Sequence, residues 1–465
     1  MKHITLLLLL TILASGAVRV SGSTRSKEPR SYIYRLTLAD KAQTPFRLSH
    51  PTRWLSHRAV ERRQRQGLSV DSTDLPVSPR YVHALKAQRG IEVVGLSRWM
   101  NSVLVRSTDT TVLKGLARLP FVSKAECVWQ TPDSTGQTAR LVDVRTRLNK
   151  WDSVPGQHYG HGFEQIEMLN GRRLHNAGFR GKGMTIAVLD GGFQNATCIP
   201  ALEGSRIDGC RDIITGSDEV TGPLYTDHGT KVLSALAACQ PEVLVGTAPE
   251  ARFWIIRCED QESEQQVEED YWVMAAELAD SAGADIISSS LGYNEFDFAW
   301  QNHTLAQLDG SSTYISRAAS MLAGKGIVLV NSAGNTGMGP WKKLCAPADA
   351  HEMLTVGAVN SDGTNAPFSA VGPTQDGRVK PDVTALGAPT ALLSSRGTVV
   401  HDMGTSFSTP VVSGLVACLW QALPGKSAID IINLVRKTAS NAKTPNNIYG
   451  YGQPDFWKAY MVGKL

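Results

Sequence analysis

Residues 184–191 read MTIAVLDG, an apolar run that ends in an acidic residue and a glycine. Such a run is typical of a strand that is buried on both faces, as in a parallel sheet. Similar runs recur at 252–257, 284–289, 326–331 and 353–358, and helical patterns lie at 228–239, 269–283, 313–324, 406–421 and 427–438. Strands that alternate with amphipathic helices predict an α/β fold, a doubly wound, mostly parallel sheet with helices on both faces.

The residues ahead of this sheet differ from it in pattern and in charge. Extended runs at 31–36, 92–97, 102–106 and 122–128 are interleaved with helical patterns at 53–66, 79–88 and 110–119, which predicts a small α+β unit. Residues 24–150 carry 23 basic and 10 acidic residues, a balance of +13, whereas residues 151–465 carry 22 and 33, a balance of −11. Opposite charges would orient the docking of the two parts; a coincidence of composition is the alternative.

The first residues have the pattern of a secretory signal. Lys2 is followed by an apolar run at 4–14 and then by small residues. This run is too short to span a bilayer, so a signal peptide is favoured over an N-terminal membrane anchor. No later apolar run reaches a membrane-spanning length.

The predicted organisation has four parts. We expect a signal peptide at 1–23, the small α+β unit at 24–130, a polar linker with a processing site at 131–162, and the α/β domain at 163–465, which begins with a helix at 163–177.

The seven cysteines lie at 127, 198, 210, 239, 258, 345 and 418. None forms a CxxC or another metal-ligand spacing, so we expect no zinc site. Cys198 and Cys210 share one polar segment and are the pair expected to form a disulfide in an oxidising compartment. Cys239 and Cys418 lie in apolar helical patterns and are predicted to be buried thiols.

Three polar residues follow or open these elements at positions suited to catalysis. Asp190 ends a strand, His228 opens a helix within DHGT at 227–230, and Ser406 precedes another helix within GTSFSTP at 404–410. Taken singly, each has a simpler interpretation, as a turn aspartate, a helix-start histidine or a helix cap. Together they are the carboxylate, general base and nucleophile that an activated serine requires.

A fourth residue adds to this set. Asn335 ends IVLVNSAGN at 327–335, a strand followed by a turn. Its neutral amide can donate a hydrogen bond to an oxyanion, where an aspartate would repel it. The alternative is a turn asparagine with no chemical role.

With GTAP at 246–249, SLG at 290–292 and KPDV at 380–383, these residues in this order resemble the subtilisin-like serine proteases, or subtilases. The chain is most similar in pattern to the secreted bacterial type with an N-terminal propeptide. The resemblance runs from Gly181 to near the C-terminus. It extends to the N-terminal unit, whose pattern is similar to the ferredoxin-like propeptides that assist folding and then block the active site.

The resemblance implies a role for each of these residues. Asp190, His228 and Ser406 would form the catalytic triad, and Asn335 would form the oxyanion hole with the Ser406 amide. The substrate backbone would be bound by Ser290, Leu291 and Gly292. No cofactor and no catalytic metal are expected, and structural calcium is left open.

Residues 259–270 carry seven acidic residues and no basic one. By the resemblance, this segment lies near the subsites that precede the cleaved bond. One hypothesis is that it favours basic side chains of the substrate. A solvated acidic loop and helix start is an equally good interpretation.

We therefore predict a serine endopeptidase, made as a self-processing zymogen and secreted to the periplasm or the cell exterior. Its partners would be protein or peptide substrates and its own propeptide, with no nucleic acid and no membrane span, and it would be a monomer. The alternative is a catalytically silent binding protein of subtilase fold. An esterase is excluded because no Gly-x-Ser-x-Gly elbow surrounds Ser406.

Overall fold

The structure is a computed structural model that describes residues 30–132 and 152–465. The predicted signal peptide and most of the predicted linker lie outside these residues. Within the described part of the chain, no helix is long and apolar enough to cross a bilayer.

The N-terminal unit is a four-stranded antiparallel sheet with three helices. Its elements are β1 (Tyr32–Leu38), α1 (His57–Arg65), α2 (Pro79–Lys86), β2 (Glu92–Ser97), β3 (Ser102–Ser107), α3 (Thr110–Leu116) and β4 (Val122–Gln130). The strands lie in the order β2-β3-β1-β4, and every neighbouring pair is antiparallel. This order confirms the predicted ferredoxin-like α+β unit.

The C-terminal unit is built around a seven-stranded sheet. Its elements are α4 (Phe163–Glu167), α5 (Gly171–Asn176), β5 (Thr185–Asp190), β6 (Arg206–Asp212), α6 (His228–Ala237), β7 (Cys239–Gln240), β8 (Leu244–Val245), β9 (Arg252–Arg257), α7 (Val267–Ala282), β10 (Ile286–Ser289), α8 (Tyr314–Ala319), β11 (Val328–Ser332), β12 (Leu354–Asn360), β13 (Val383–Ala388), β14 (Thr390–Leu393), β15 (Val399–Asp402), α9 (Thr405–Ala422), α10 (Ala428–Thr438) and α11 (Phe456–Gly463).

The sheet has the order β13-β12-β11-β10-β5-β9-β6, and all of its paired strands are parallel. This confirms the predicted doubly wound α/β fold. The first strand in the chain, β5, is central. Strands β9 and β6 lie on one side of it, and β10 to β13, which come later in the chain, lie on the other side. Where the strand order reverses, an α/β sheet has a crevice beyond the carboxyl ends of its strands. A functional site is therefore expected at the end of β5.

Successive side chains of β5 point alternately to the two faces of the sheet. Ile186 and Val188 join the core that contains α6, α9 and α10, whereas Ala187 and Leu189 join the core that contains α7 and α8. All four are completely buried. The continuous apolar run is therefore explained by a strand that is covered on both faces.

The N-terminal unit docks on α7 through buried ion pairs. Asp280 accepts hydrogen bonds from Arg63 at 2.9 Å and from Arg98 at 2.6 Å, and it also bonds Arg62. Arg35 binds Asp270 with its Nε at 2.8 Å from Oδ1. The basic N-terminal unit and the acidic C-terminal unit thus pair their charges directly at the interface.

Two local predictions differ from the structure near the start of the C-terminal unit. The helix predicted at 163–177 is divided into α4 and α5, because Asn170 adopts a left-handed conformation with φ of 54°. The end of the predicted linker is attached to the C-terminal unit, since the Val154 amide donates to Glu242 O at 2.7 Å. Ordered packing of this unit therefore begins before residue 163.

The cysteine predictions are only partly correct. Cys198 and Cys210 are free thiols rather than a disulfide, and the other five cysteines are free as well. Cys418 is buried in α9 as predicted, but Cys239 is exposed. The reason is that α6 ends at Ala237, so Cys239 lies in the short β7 strand instead of on a buried helix face.

Candidate active site

Asp190 ends β5 and is completely buried. Its two carboxylate oxygens lie 2.9 and 3.0 Å from Nδ1 of His228, and the Gly191 amide donates to Oδ1 at 2.8 Å. Because the carboxylate can only accept, it holds the proton of the neutral imidazole on Nδ1. The lone pair on Nε2 is then free to accept a proton.

His228 is the first residue of α6, and its position depends on the next residue, Gly229. The Gly229 amide donates to Gly192 O at 3.0 Å, and a Cβ at Gly229 would collide with that same oxygen. Glycine therefore lets the helix start lie against the turn after β5. The His228 side chain is 31% exposed and packs against Phe407, with 5.4 Å between ring centroids.

The surroundings of His228 shift its pKa upward. Burial alone lowers the pKa, but the negative charge and hydrogen bond of Asp190 outweigh it, and Glu259 adds a further raising effect. Together they raise the pKa of His228 to about 9. A general base must be neutral, so if His228 has that role, activity is expected to rise with pH through this pKa.

Glu259→Gln is expected to move the rising limb of the pH profile of kcat/KM to lower pH. Burial, followed by the charge of Asp190, raises the pKa of Glu259 to about 7, so at higher pH this residue is an anion that stabilises the imidazolium. Removal of one such charge shifts the limb by roughly 0.5 to 1 pH unit. The exposed Glu262→Gln is the matched control. A limb that stays in place or moves to higher pH would contradict the assignment.

Ser406 lies in the first turn of α9 and is nearly buried. Pro410 has no amide hydrogen, so the Ser406 carbonyl has no intrahelical donor. The Ser290 hydroxyl donates to that carbonyl instead, at 2.8 Å. In return, the Ser406 hydroxyl donates to Ser290 O at 3.3 Å. For the predicted reaction the hydroxyl must leave this acceptor and donate to Nε2 of His228.

Asn335 is exposed beside the start of α9. Its Oδ1 accepts hydrogen bonds from the Thr405 amide and hydroxyl, both at 2.9 Å. Since the backbone amide can only donate, its partner must be the side-chain oxygen. This fixes the orientation of the side chain and leaves the Nδ2 donor for another acceptor, such as an oxyanion.

Asn335→Ala is expected to lower kcat by about 10²–10³-fold with little change in KM, because a donor to the oxyanion is lost. Asn335→Asp keeps an acceptor for Thr405 and loses the donor, so it separates this role from a structural one. Steady-state kinetics on one peptide substrate will compare the two variants. Near-normal kcat in Asn335→Asp would show that the residue only supports Thr405.

The predicted substrate segment, Ser290 to Gly292, directly follows β10. Asn331, which is completely buried in β11, donates to Leu291 O at 3.1 Å and so holds this segment in place. Asn331 is a positioning residue that we did not predict from the sequence. The available signal was a polar residue inside the otherwise apolar run IVLVN.

The acidic segment, residues 259–270, is buried in part and exposed in part. Glu268, Glu269 and Asp270 are buried in the first turn of α7. Three carboxylates of the segment, those of Glu259, Glu264 and Glu268, place oxygens within 4.8 Å of one another and are the described acids that could hold a cation. The predicted acidic helix start is therefore confirmed for Glu268, Glu269 and Asp270, but these residues are buried rather than solvated.

Comparisons with known proteins identify the families of the two units. Residues 181–452 match the model of the subtilase family, and residues 33–141 match that of the peptidase S8 propeptide domain of Bacteroidota. The thermostable alkaline protease of Halalkalibacterium halodurans is 28% identical over 62% of this chain and 70% of its own length. Subtilisin NAT of Bacillus subtilis subsp. natto is 27% identical over 64% and 72%. The solved structure of MycP1 from Mycobacterium smegmatis has a similar fold, with a TM-score of 0.53 at 22% identity over 71% of this chain and 92% of its own.

Proposed function

This chain belongs to the subtilase family of serine endopeptidases, and we propose that it is a secreted, self-processing zymogen whose Asp190, His228 and Ser406 cleave peptide bonds. The observation that carries the proposal is the contact of the buried Asp190 carboxylate with Nδ1 of His228. The same imidazole packs on Phe407, the neighbour of Ser406.

In the proposed mechanism, Nε2 of His228 takes the proton of the Ser406 hydroxyl while Oγ attacks the carbonyl carbon of the substrate. Asp190 keeps the other imidazole proton on Nδ1. The charge that develops on the carbonyl oxygen is stabilised by Nδ2 of Asn335 and by the Ser406 amide at the start of α9. His228 then gives its proton to the leaving amine, and water releases the acyl group by the same route. Subtilases need no cofactor for this chemistry.

The N-terminal unit is proposed to act as an intramolecular inhibitor. At the end of β4, the Gln130 amide donates to Oε1 of Gln265 and the Gln130 carbonyl accepts from Nε2, both at 2.9 Å. Trp129 donates to the Ser263 hydroxyl at 3.3 Å. These contacts place the end of the unit alongside the acidic segment, whose Glu259 lies against Gly191 next to Asp190, and this supports a blocking role.

The proposed precursor has four parts. A signal peptide at 1–23 would direct the chain out of the cytoplasm, and the propeptide would span 24–130. Self-cleavage would fall within the linker at 131–162, ahead of the peptidase domain at 163–465.

A fluorophosphonate probe tests the proposal, since it reacts with an activated serine. The purified precursor is incubated, its mass is followed with time, and the labelled peptide is mapped. We expect trimming within the linker and a label on Ser406, with heat-denatured protein as the unlabelled control. Folded protein that is neither trimmed nor labelled would favour the silent binding protein, and a label on another serine would overturn the triad.

A further inference from the structure

A group of three carboxylates lies on the segment between β9 and α7. Glu259, Glu264 and Glu268 form this carboxylate cluster, in which one oxygen of each lies within 4.8 Å of the others. We propose that the carboxylate cluster binds the charged side chain of a lysine or arginine on the N-terminal side of the scissile bond. The proposal rests on the proposed function and names its substrate class.

The innermost member of the cluster lacks a partner. Among the described residues, Glu268 is completely buried and neither of its carboxylate oxygens has a hydrogen-bond partner. The hydroxyl of the buried Tyr293 is also unpaired within the described chain. A buried carboxylate without a donor is strongly disfavoured as an anion, so Glu268 requires either a proton or a cation.

The anionic form is also disfavoured in the other two members, Glu259 and Glu264. Burial, followed by the charge of Asp190, raises the pKa of Glu259 to about 7. Burial, followed by the charges of Glu259 and Asp297, raises the pKa of Glu264 to about 8. Like charges at this distance oppose one another's ionisation. A bound cation removes that opposition and is attracted by all three groups.

The spacing suits a nitrogen cation. Three acceptors that each take a hydrogen bond of about 2.8 Å from one tetrahedral ammonium nitrogen lie about 4.6 Å apart. The cluster keeps its three oxygens within 4.8 Å. A guanidinium offers five donors in a plane and meets the same oxygens over a wider area.

The cluster also lies beside the predicted active site. The Glu259 carboxylate sits over Gly191, since a Cβ there would collide with it, and Gly191 follows Asp190. Tyr293, whose pKa burial and the charges of Glu268, Glu259 and Glu264 raise, directly follows the predicted substrate segment. Glu259 and Glu264 are partly exposed, which leaves the cluster open on that side.

Peptide kinetics on the mature enzyme test the proposal. Fluorogenic peptides carry lysine, arginine, glutamine or norleucine at the second, third or fourth position before the cut. At one of these positions we expect lysine or arginine to raise kcat/KM at least about tenfold over glutamine. Glu264→Gln should reduce this ratio to about threefold or less, and Glu268→Gln should do the same. The exposed Glu262→Gln is the matched control and should keep the ratio.

Equal cleavage of lysine and glutamine peptides by enzyme that is labelled on Ser406 would overturn this inference alone. An equal drop of the ratio in Glu262→Gln would overturn it too, because it would indicate a general effect of surface charge. Calcium binding by calorimetry that is lost in Glu264→Gln would make the cluster a metal site and reject the proposal. Wild-type protein with neither labelling nor hydrolysis would overturn both this inference and the proposed function.

Discussion

Replacement of Ser406 by alanine is expected to lower kcat by about 10⁶-fold, the size of loss known for removal of a serine nucleophile. The variant should also stay at the precursor mass and take no fluorophosphonate label. The physical reason is that the proposed acyl-enzyme needs the Ser406 oxygen, and the first-turn position of α9 offers it beside the Asn335 amide. Mass spectrometry over time and kinetics on a peptide substrate measure both effects.

Ser408→Ala is the matched control for this experiment. Ser408 lies in the same turn, and its buried hydroxyl donates to Thr405 O at 3.0 Å. Its loss should leave kcat within about tenfold of the wild type, because no reacting atom is removed. If Ser406→Ala were trimmed as fast as the wild type, maturation would belong to another protease.

Asp190→Asn is expected to lower kcat by about 10⁴-fold while the fold is kept. The asparagine amide would offer a donor to Nδ1 of His228, so the neutral imidazole would carry its proton on Nε2. In that tautomer it cannot accept the proton of Ser406. Kinetics are measured after maturation by immobilised wild-type enzyme, which is then removed.

A second readout separates this role from a structural one. Asp190 raises the pKa of His228, so the substitution should lower the histidine pKa seen by NMR. Asp208→Asn, an exposed member of a surface ion pair with Arg252, is the control and should leave both quantities unchanged. A loss of kcat smaller than about tenfold would reject the orienting role.

The fold was largely predictable because apolar runs identify strands that are buried on both sides. The strand at 252–257 was predicted at the bounds that β9 has. Two strands of the large sheet were not predicted. One is β6, an edge strand of sequence RIDGCRD, in which the exposed Arg206 and Asp208 interrupt the apolar pattern. The other is β13, whose run of small residues, VTALGA, has weak strand propensity.

The candidate site was predictable only where a residue type is tied to a local motif. Asp190, His228, Ser406 and Asn335 each follow a strand or open a helix, and their catalytic roles remain predictions. The hydrogen bond of Asn331 to Leu291 joins positions 40 residues apart, so no local sequence pattern predicts it. Burial of Glu268 has the same origin, since it is decided by the tertiary fold rather than by the local sequence.

The ion pair between Arg62 of α1 and Asp280 of α7 bears on when the enzyme would become active. Arg62 and Asp280 have no exposed side-chain surface, so water reaches them only after the two units begin to separate. A buried charge that loses its partner before it is hydrated is very unfavourable. If the linker is cut as proposed, departure of the N-terminal unit is expected to be a separate and slower event. The cut protein would stay inactive until that unit leaves, so activity would appear only after a lag.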